Sequence, residues 1–349
     1  MPVVRIVQIG LGPIGQRVVQ YATERKGLKV VAAVDLDPAK VGKDLGEVCG
    51  MDKPLRVRVV GSLAEAVRKS RPDVALLCTT SSLEKAAPQI LEIVSRGLHV
   101  VSTCEELSFP WKTAPALSRR LDAAARKKKV GVLGTGVNPG FLMDFLPLAM
   151  TGVCQRVDSI QVTRTQDASI RRVPFQQKIG AGLTLAEFEA KRLAGTLRHV
   201  GLTESMGMIA SRLGWRLTRT EDVLSPIVAR TEITTGYKPI HAGMAAGVQQ
   251  IGRGWVAQGG QADHRGQGGE REVITLLFRA AVGEPGPADT VEIAGDPSFK
   301  STIPGGVNGD VATCAITVNA IGAILSAAPG LRTMADIAPV TCWDGAVRR

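Results

Sequence analysis

The sequence has few aromatic residues, few histidines and no closely paired cysteines. Aromatic residues make up 4% of its 349 positions, and there are 4 histidines. The 6 cysteines form no C-x-x-C pair, which argues against a zinc site and against a disulfide framework. Because no histidine pair or carboxylate cluster has the spacing of metal ligands, we expect no bound metal.

Long apolar runs are also absent from the sequence. No run reaches the roughly 18 residues that span a membrane. The chain enters a strand-like segment at once, without the basic region and apolar stretch of a signal peptide, so we expect a cytoplasmic protein with no membrane partner. The net charge of +11 is scattered, and few aromatics are available for base stacking, so we expect no nucleic-acid partner.

A glycine-rich turn is the most informative feature that is present. After a first apolar run the chain reads Gly10-Leu11-Gly12-Pro13-Ile14-Gly15, and a second apolar run ends in Asp35 about twenty residues further on. This pattern between a strand and a helix is typical of dinucleotide binding. Gly10 would permit the tight turn, Gly12 the approach of a pyrophosphate, and Gly15 close packing of the helix on the strand.

Phosphate would then lie at the start of the helix, near Pro13 and Ile14, where free N–H groups favour anions. Asp35 would accept hydrogen bonds from the hydroxyls of the adenosine ribose. That acid favours NAD as the cofactor, with NADP as the alternative.

The order of strand-like and helix-like segments divides the chain, which is too long for one ordinary core. Alternation up to residue 140 predicts an α/β domain, a Rossmann-type doubly wound parallel sheet that binds the dinucleotide over residues 1–140. Residues 141–309 carry successive strands and predict an α+β substrate domain with a mostly antiparallel or mixed sheet. Residues 310–349 begin with an apolar helix, capped by Asp310, that we expect to return to the first domain.

Several segment boundaries follow from the same patterns. The third strand of the first domain is expected at residues 56–60, and the strands of the second at 224–235, 245–258, 270–281 and 290–294. Residues 259–269 are typical of a flexible hairpin connection.

Ligands of an open parallel sheet bind beyond the carboxyl ends of its strands. Besides the glycine turn, the loops at residues 78–82, 102–107 and 134–141 follow predicted strands. Ser81 and Glu84 have the form of a capping box for the helix after the first loop. The expected cofactor contacts outside the glycine turn are Asp35, Thr79, Thr80, Ser82, Thr103, Cys104, Asn138 and Asn308. The expected substrate contacts are Phe141, Arg164, His199 and Thr302.

Glu105 and Glu106 are the candidates for proton transfer, because a carboxylate can take a proton from an ammonium or a water and return it. Alternation directs only one of them inward, and we favour Glu105; the other interpretation is that both are surface residues on a loop. Cys104 offers a different chemistry, thiolate attack on an aldehyde, although no histidine is adjacent to it in the sequence.

Five segments together resemble one family. They are Thr103-Cys104-Glu105-Glu106-Leu107, Gly136-Val137-Asn138-Pro139-Gly140-Phe141, residues 167–180, His199-Val200-Gly201-Leu202 and Gly305-Gly306-Val307-Asn308-Gly309-Asp310. The combination, which runs through nearly the whole chain, resembles the 2,4-diaminopentanoate dehydrogenases and the related native amine dehydrogenases. The N-terminal half is also similar to that of dihydrodipicolinate reductase, but the paired catalytic histidines of that enzyme have no counterpart here.

The resemblance implies reversible, nicotinamide-dependent oxidation of a primary amine to a ketone with release of ammonia. The amine would be similar to 2,4-diaminopentanoate or a simple alkyl amine. In this family a glutamate after the fifth strand handles the amine, which maps to the Glu105-Glu106 pair, and the protein is a homodimer joined through its sheet domain. Two alternatives stay open: a dehydrogenase acting on a non-amine carbonyl or hydroxy substrate, and a nucleotide-binding protein without catalysis.

Overall fold

The structure is a computed structural model that describes residues 3–169, 171, 173–197, 199–236, 238–258 and 269–343. The chain divides into two compact units. The first unit runs up to Phe141 and resumes at Asn308, and the second is Leu142–Val307. The expected hairpin connection at residues 259–269 lies, except for its last residue, outside the described residues.

The first unit is built on a seven-stranded parallel sheet. Its strands are β1 (Val4–Ile9), β2 (Leu28–Val34), β3 (Val59–Val60), β4 (Val74–Leu77), β5 (His99–Ser102), β6 (Gly131–Gly134) and β13 (Gly330–Arg332). They lie side by side in the order β13-β6-β5-β4-β1-β2-β3. The doubly wound sheet predicted from the alternating pattern is therefore confirmed. The strand expected at residues 56–60 is shorter than predicted, because Arg56 has a positive φ of 55° that ends the extended run.

Helices of this unit cover the sheet. They are α1 (Pro13–Glu24), α2 (Leu45–Val48), α3 (Leu63–Ser70), α4 (Leu83–Ser95), α5 (Pro115–Lys128) and α10 (Gly309–Ser326). The side chains of Ile90 and Ile93 from α4 and Leu121 from α5 are buried in one core with Ala75 and Leu77 of β4. All four residues of β4 are buried, as is typical of a central strand in a parallel sheet.

The last helix, α10, corrects one expectation, the identity of its N-cap residue. By length and composition alone its 18 residues could cross a membrane, with a mean hydropathy of 1.4. It packs against α1, β4, β5 and β6, and a buried core helix passes the same test. Its N-cap is Asn308 and not Asp310, because Asn308 Oδ1 accepts hydrogen bonds from the N–H groups of Asp310 and Val311.

The second unit is built on a six-stranded mixed sheet in the order β12-β11-β7-β10-β9-β8. Its strands are β7 (Arg156–Asp167), β8 (Leu217–Val228), β9 (Ala245–Ala257), β10 (Glu270–Ala281), β11 (Ala288–Asp296) and β12 (Phe299–Pro304). Its helices are α6 (Phe145–Met150), α7 (Val173–Lys178), α8 (Leu185–Leu193) and α9 (Leu202–Arg212). Only β7 and β10 run parallel, which confirms the predicted mixed sheet. The strand expected at residues 224–235 was placed too late in the sequence, and β12 was missed.

Candidate functional site

The glycine turn after β1 has the geometry that the sequence pattern requires. Gly10 has a φ of +85°, and a Cβ there would lie 2.6 Å from the carbonyl oxygen of Cys78 in the loop after β4. A Cβ on Gly15 would collide with the carbonyl oxygen of Gly10. A Cβ on Gly12 would meet none of the described atoms within 4 Å, so this side of the turn is open to a ligand. Pro13 begins α1, and the open turn therefore leads directly to the helix N-terminus, a favourable place for phosphate.

Two glutamines that the sequence analysis missed hold this turn. The side-chain amide of Gln8, buried in β1, donates to the carbonyl oxygen of Gly10 at 2.9 Å. The amide of Gln16 in α1 donates to the carbonyl oxygen of Leu11 at 2.8 Å. A glutamine between the apolar residues Val7 and Ile9 was the signal for the first of these contacts, because a buried amide needs hydrogen-bond partners.

The carboxylate of Asp35, directly after β2, is tied to the same turn. Its Oδ2 accepts from Leu11 N–H at 2.6 Å, and its Oδ1 accepts from Asp37 N–H at 2.8 Å. The ammonium of Lys40 lies 3.7 Å from Oδ2. Asp35 is thus fixed at the strand end where a ribose would lie in a dinucleotide-binding sheet.

Parallel strands bring the other predicted loops to the same edge of the sheet. This edge carries Gly10, Gly12, Pro13, Ile14, Gly15, Asp35, Thr79, Thr80, Ser82, Thr103, Cys104 and Asn138. In the loop after β4, the hydroxyl of Thr79 contacts Gln89, and that of Thr80 accepts from Ser82 N–H. All the predicted cofactor residues therefore belong to the first unit, Asn308 included. The side-chain oxygen of Asn308 accepts hydrogen bonds at the start of α10.

The two glutamates after β5 lie in a short 3₁₀ turn, Glu105–Leu107, and are both partly exposed. The Oε2 atom of Glu106 accepts from Leu83 N–H at 2.8 Å and so caps α4. The predicted capping box of Ser81 and Glu84 is therefore wrong: Ser82 is the N-cap residue, and a carboxylate from the next loop accepts the hydrogen bond. Glu106 thus has a structural role at the start of α4, and the preference for Glu105 stays a prediction.

Cys104 does not have the surroundings of a nucleophile. Its side chain is 1% exposed and donates to the carbonyl oxygen of Ser81 at 3.2 Å. Burial raises the pKa of the thiol to about 12, so the thiolate is not formed at neutral pH. The aldehyde chemistry considered for Cys104 is therefore wrong on physical grounds.

In the second unit, a buried ion pair lies in a cavity of about 110 Å³. Arg164 of β7 and Asp289 of β11 are direct cross-strand neighbours, and Arg164 Nη1 lies 3.5 Å from Asp289 Oδ1. The rest of the cavity wall is largely apolar. It consists of Leu142, Met143, Leu146, Met150, Val162, Thr290, Val291, Ser301 and Ile303.

Both members of this pair also hold the peptide of Val307. Arg164 Nη2 donates to the carbonyl oxygen of Val307 at 2.8 Å, and Val307 N–H donates to Asp289 Oδ2 at 2.7 Å. Among the residues that the structure describes, Arg164 Nη1 and Asp289 Oδ1 have no hydrogen-bond partner. Burial lowers the pKa of Arg164 to about 10 and raises that of Asp289. These two atoms face each other, so the buried charges of the pair neutralise one another inside the second unit.

The other predicted substrate residues have different surroundings. The ring of His199 packs against Phe278 with centroids 4.4 Å apart, and Gln250 bonds both backbone groups of His199. Burial lowers the pKa of His199 to about 3, and the positive charges of Lys178 and Arg164 act in the same direction. His199 is therefore neutral at physiological pH.

Thr302 lies on the exposed edge strand β12, and its hydroxyl contacts that of Thr290, which lines the cavity. Phe141, the last residue of the first unit before the chain leaves it, is partly buried. Among the described residues there is no group of three His, Cys, Asp or Glu side chains that could hold a metal ion.

Comparison with known proteins places the chain in a family. The model of the 2,4-diaminopentanoate dehydrogenase C-terminal domain matches residues 141–349, and the model of the dihydrodipicolinate reductase N-terminus matches residues 4–103. The chain is 33% identical to the 2,4-diaminopentanoate dehydrogenase of Acetoanaerobium sticklandii, over 97% of this chain and 94% of that protein. The chain belongs to the 2,4-diaminopentanoate dehydrogenase family. The resemblance found in the sequence is thereby confirmed.

Two further proteins to which this chain is similar are named amine dehydrogenases. The chain is 26% identical to the amine dehydrogenase of Streptomyces virginiae over 65% of this chain and 64% of that protein. The solved structure of the amine dehydrogenase from Mycobacterium smegmatis superposes with a TM-score of 0.82 at 23% identity, covering 97% of both chains. At this identity the structural match shows a shared fold.

Proposed function

We propose that this member of the 2,4-diaminopentanoate dehydrogenase family is an NAD(P)-dependent amine dehydrogenase. It oxidises a primary amine to a ketone with release of ammonia, and it runs the reverse reaction with ketone and ammonia. The observation that carries the proposal is the place of Glu105 directly after β5, at the carboxyl end of the parallel sheet that also carries the glycine turn and Asp35. Family membership and the named relatives support the same reaction.

The residues of the first unit fit a dinucleotide. The open side of Gly12 and the start of α1 would receive the pyrophosphate, and Asp35 would receive the ribose. When bound, the nicotinamide accepts a hydride from the carbon that carries the amine. The shape of the turn depends on this chain's own contacts, since Gln8 and Gln16 fix the carbonyl groups of Gly10 and Leu11.

The proposed role of Glu105 is proton transfer at the substrate nitrogen. An ammonium has no lone pair to drive the departure of a hydride, so the carboxylate must first take its proton. Loss of the hydride from the neutral amine gives an iminium ion, and the carboxyl passes the first proton to solvent. The restored carboxylate then takes a proton from the water that attacks the iminium carbon, and it returns this proton to the nitrogen so that ammonia can leave. General acid–base help of this kind contributes on the order of 10² to 10⁴ in rate.

Family membership and the named relatives support an amine similar to 2,4-diaminopentanoate, or a simple alkyl amine, as the substrate.

The decisive experiment compares two neighbouring substitutions. Turnover is followed as NADH and NADPH formation from 2,4-diaminopentanoate, and in reverse as ammonium-dependent consumption with plain ketones. Glu105→Gln is expected to lower kcat by on the order of 10² to 10⁴ while the Kd for NADH stays the same. The matched control, Glu106→Gln, should keep kcat within a few-fold. The opposite pattern would move the role to Glu106, and turnover without ammonium would indicate a non-amine substrate.

Two finer expectations belong to this proposal. Because family members are expected to be homodimers joined through the sheet domain, we propose a homodimer that uses the second unit. Light scattering on an eluting peak should give twice the chain mass of 36.8 kDa.

We also propose that the protein is cytoplasmic. Fractionation of expressing cells would test this location.

A further inference from the structure

A buried serine fixes the way in which the chain leaves β5. Ser102, the last residue of that strand, is 1% exposed. Its hydroxyl donates to the carbonyl oxygen of Leu77 at 2.9 Å and accepts from the N–H group of Cys104 at 3.1 Å. Leu77 is the residue opposite Ser102 on the neighbouring strand β4. One hydroxyl thus joins the ends of two strands to the residue directly before Glu105.

The backbone on both sides of Glu105 is also tied to the loop after β4. The carbonyl oxygen of Ser81 accepts from the thiol of Cys104 at 3.2 Å and from the N–H group of Glu106 at 3.3 Å. The carbonyl oxygen of Glu105 itself accepts from Ser108 N–H at 3.1 Å. Glu105 therefore lies between two residues that bind the same carbonyl group, and its own carbonyl group is held as well.

We propose that Ser102 is a positioning residue for the reaction, and that its hydroxyl sets the place from which Glu105 exchanges a proton with the substrate. The inference rests on the proposed function, because it assumes that Glu105 acts at the substrate nitrogen. Ser102 is buried and its hydroxyl is engaged as donor and as acceptor, so it acts through the backbone and not on the substrate. Proton transfer needs a contact of about 3 Å, and a misplacement of about 1 Å can cost on the order of 10²-fold in rate.

The loss of this hydroxyl would affect one backbone group most. The carbonyl oxygen of Leu77 also accepts from Thr103 N–H at 3.1 Å, so it would keep a partner. The N–H group of Cys104 would lose its acceptor in a buried turn, since Cys104 is 1% exposed. A buried N–H group without a partner is costly, so the turn would shift to find another acceptor. Glu105, the next residue, would move with it.

Ser118 provides a matched control in the same unit. It is a buried serine of α5, and its hydroxyl donates to the carbonyl oxygen of Ala114 at 2.8 Å. The same carbonyl oxygen accepts from Ser118 N–H at 2.9 Å, so it stays paired when the hydroxyl is removed. Ser118→Ala therefore removes the same atom as Ser102→Ala from a similarly buried place, without changing a contact beside Glu105.

The test separates a positioning role from a purely structural one. Ser102→Ala and Ser118→Ala are each made in the wild-type protein and in Glu105→Gln. Both kcat and KM are measured as NADH and NADPH formation from 2,4-diaminopentanoate, and the Kd for NADH is measured by calorimetry. Ser102→Cys is a second variant in case the alanine variant does not fold, because its thiol fills the space of the hydroxyl but is a weak acceptor. Thermal unfolding checks that each variant is folded.

In the wild-type protein, Ser102→Ala should lower kcat by roughly 10-fold and leave KM and the Kd for NADH within about 2-fold. Ser102→Cys should lower kcat by on the order of 3-fold. Ser118→Ala should keep kcat within about 2-fold. In Glu105→Gln, Ser102→Ala should change the remaining kcat by less than about 2-fold, because the carboxylate that it positions has been removed.

Three results would overturn the inference. They are an unchanged kcat in both Ser102 variants, an equal loss of kcat from Ser102→Ala in the wild-type and Glu105→Gln backgrounds, and a rise in the Kd for NADH as large as the fall in kcat. The second result would make Ser102 a structural residue only, and the third would place its effect at the dinucleotide. A wild-type kcat in Glu105→Gln alone would instead refute the proposed role of Glu105 and the inference with it, so the two failures are distinguishable.

Discussion

The candidate site of the first unit is formed mainly by backbone, and that of the second unit by side chains. The dinucleotide edge of the first unit depends on backbone shape, with Gly10, Gly12 and Gly15 each required or open for a separate geometric reason. The cavity of the second unit depends on two buried side chains, Arg164 and Asp289, that face each other across neighbouring strands. A site made of backbone is specified by adjacent residues, whereas a site made of distant side chains is specified by strand register.

The largest expected effect comes from breaking the pair in the second unit. Arg164→Met leaves the Asp289 carboxylate buried without its counter-ion, which we expect to lower the free energy of unfolding by about 3–5 kcal/mol. Urea denaturation measures this loss. The double variant Arg164→Met with Asp289→Asn removes both charges and should recover most of it. If the single variant were as stable as the wild type, water would be reaching the pair.

Substitutions in the glycine turn should separate fold from ligand binding in the first unit. Gly15→Ala forces a Cβ against the carbonyl oxygen of Gly10, and we expect a loss of about 1–3 kcal/mol in unfolding free energy. Gly12→Ala adds a Cβ in open space, so the loss should stay within about 0.5 kcal/mol while the Kd for NADH rises. A Kd for NADH that stays unchanged in Gly12→Ala would show that the opening at Gly12 is not a ligand site.

This contrast explains what could be predicted from the sequence. The glycine turn, Asp35 and the doubly wound sheet follow from residues that lie close together in the chain and from a repeated pattern of strand and helix. The capping role of Glu106 could not be found in this way, because Leu83 begins an earlier helix, α4, that only the sheet brings near. The local Ser81 and Glu84 pattern was therefore misleading.

Of the two charged residues in the cavity, only Arg164 was predicted as a site residue from the sequence. Arg164 was among the predicted substrate contacts, but its partner Asp289 lies on a strand far along the chain and was not predicted. Only the pairing of β7 with β11 sets these two residues opposite each other. The register of that pair cannot be derived from the sequence, because the two strands are not neighbours along the chain.

A pH titration extends the comparison to His199, a neutral group in the second unit. Burial disfavours the charged ring and lowers the pKa of His199 from its ordinary 6.5 to about 3. The unfolded chain therefore binds more protons, and stability is lost as the pH falls below about 6.5, by at most about 1.4 kcal/mol per pH unit. Urea unfolding at pH 7, 5 and 4 should show a shallower fall for His199→Gln than for the wild type. Parallel curves would mean that the ring is protonated in the folded protein.

The smallest expected effect concerns the contribution of Glu106 to the stability of α4 in the first unit. Glu106→Ala removes the acceptor for Leu83 N–H at the start of α4 and should cost about 1 kcal/mol in unfolding free energy. Glu106→Gln keeps an acceptor oxygen on a side chain of the same length, and should therefore lose less than the alanine variant. Equal losses in urea denaturation would mean that the negative charge at the helix start matters more than the hydrogen bond. In either case the glutamate that stabilises the helix differs from the one proposed to move the proton, although the two are adjacent in the sequence.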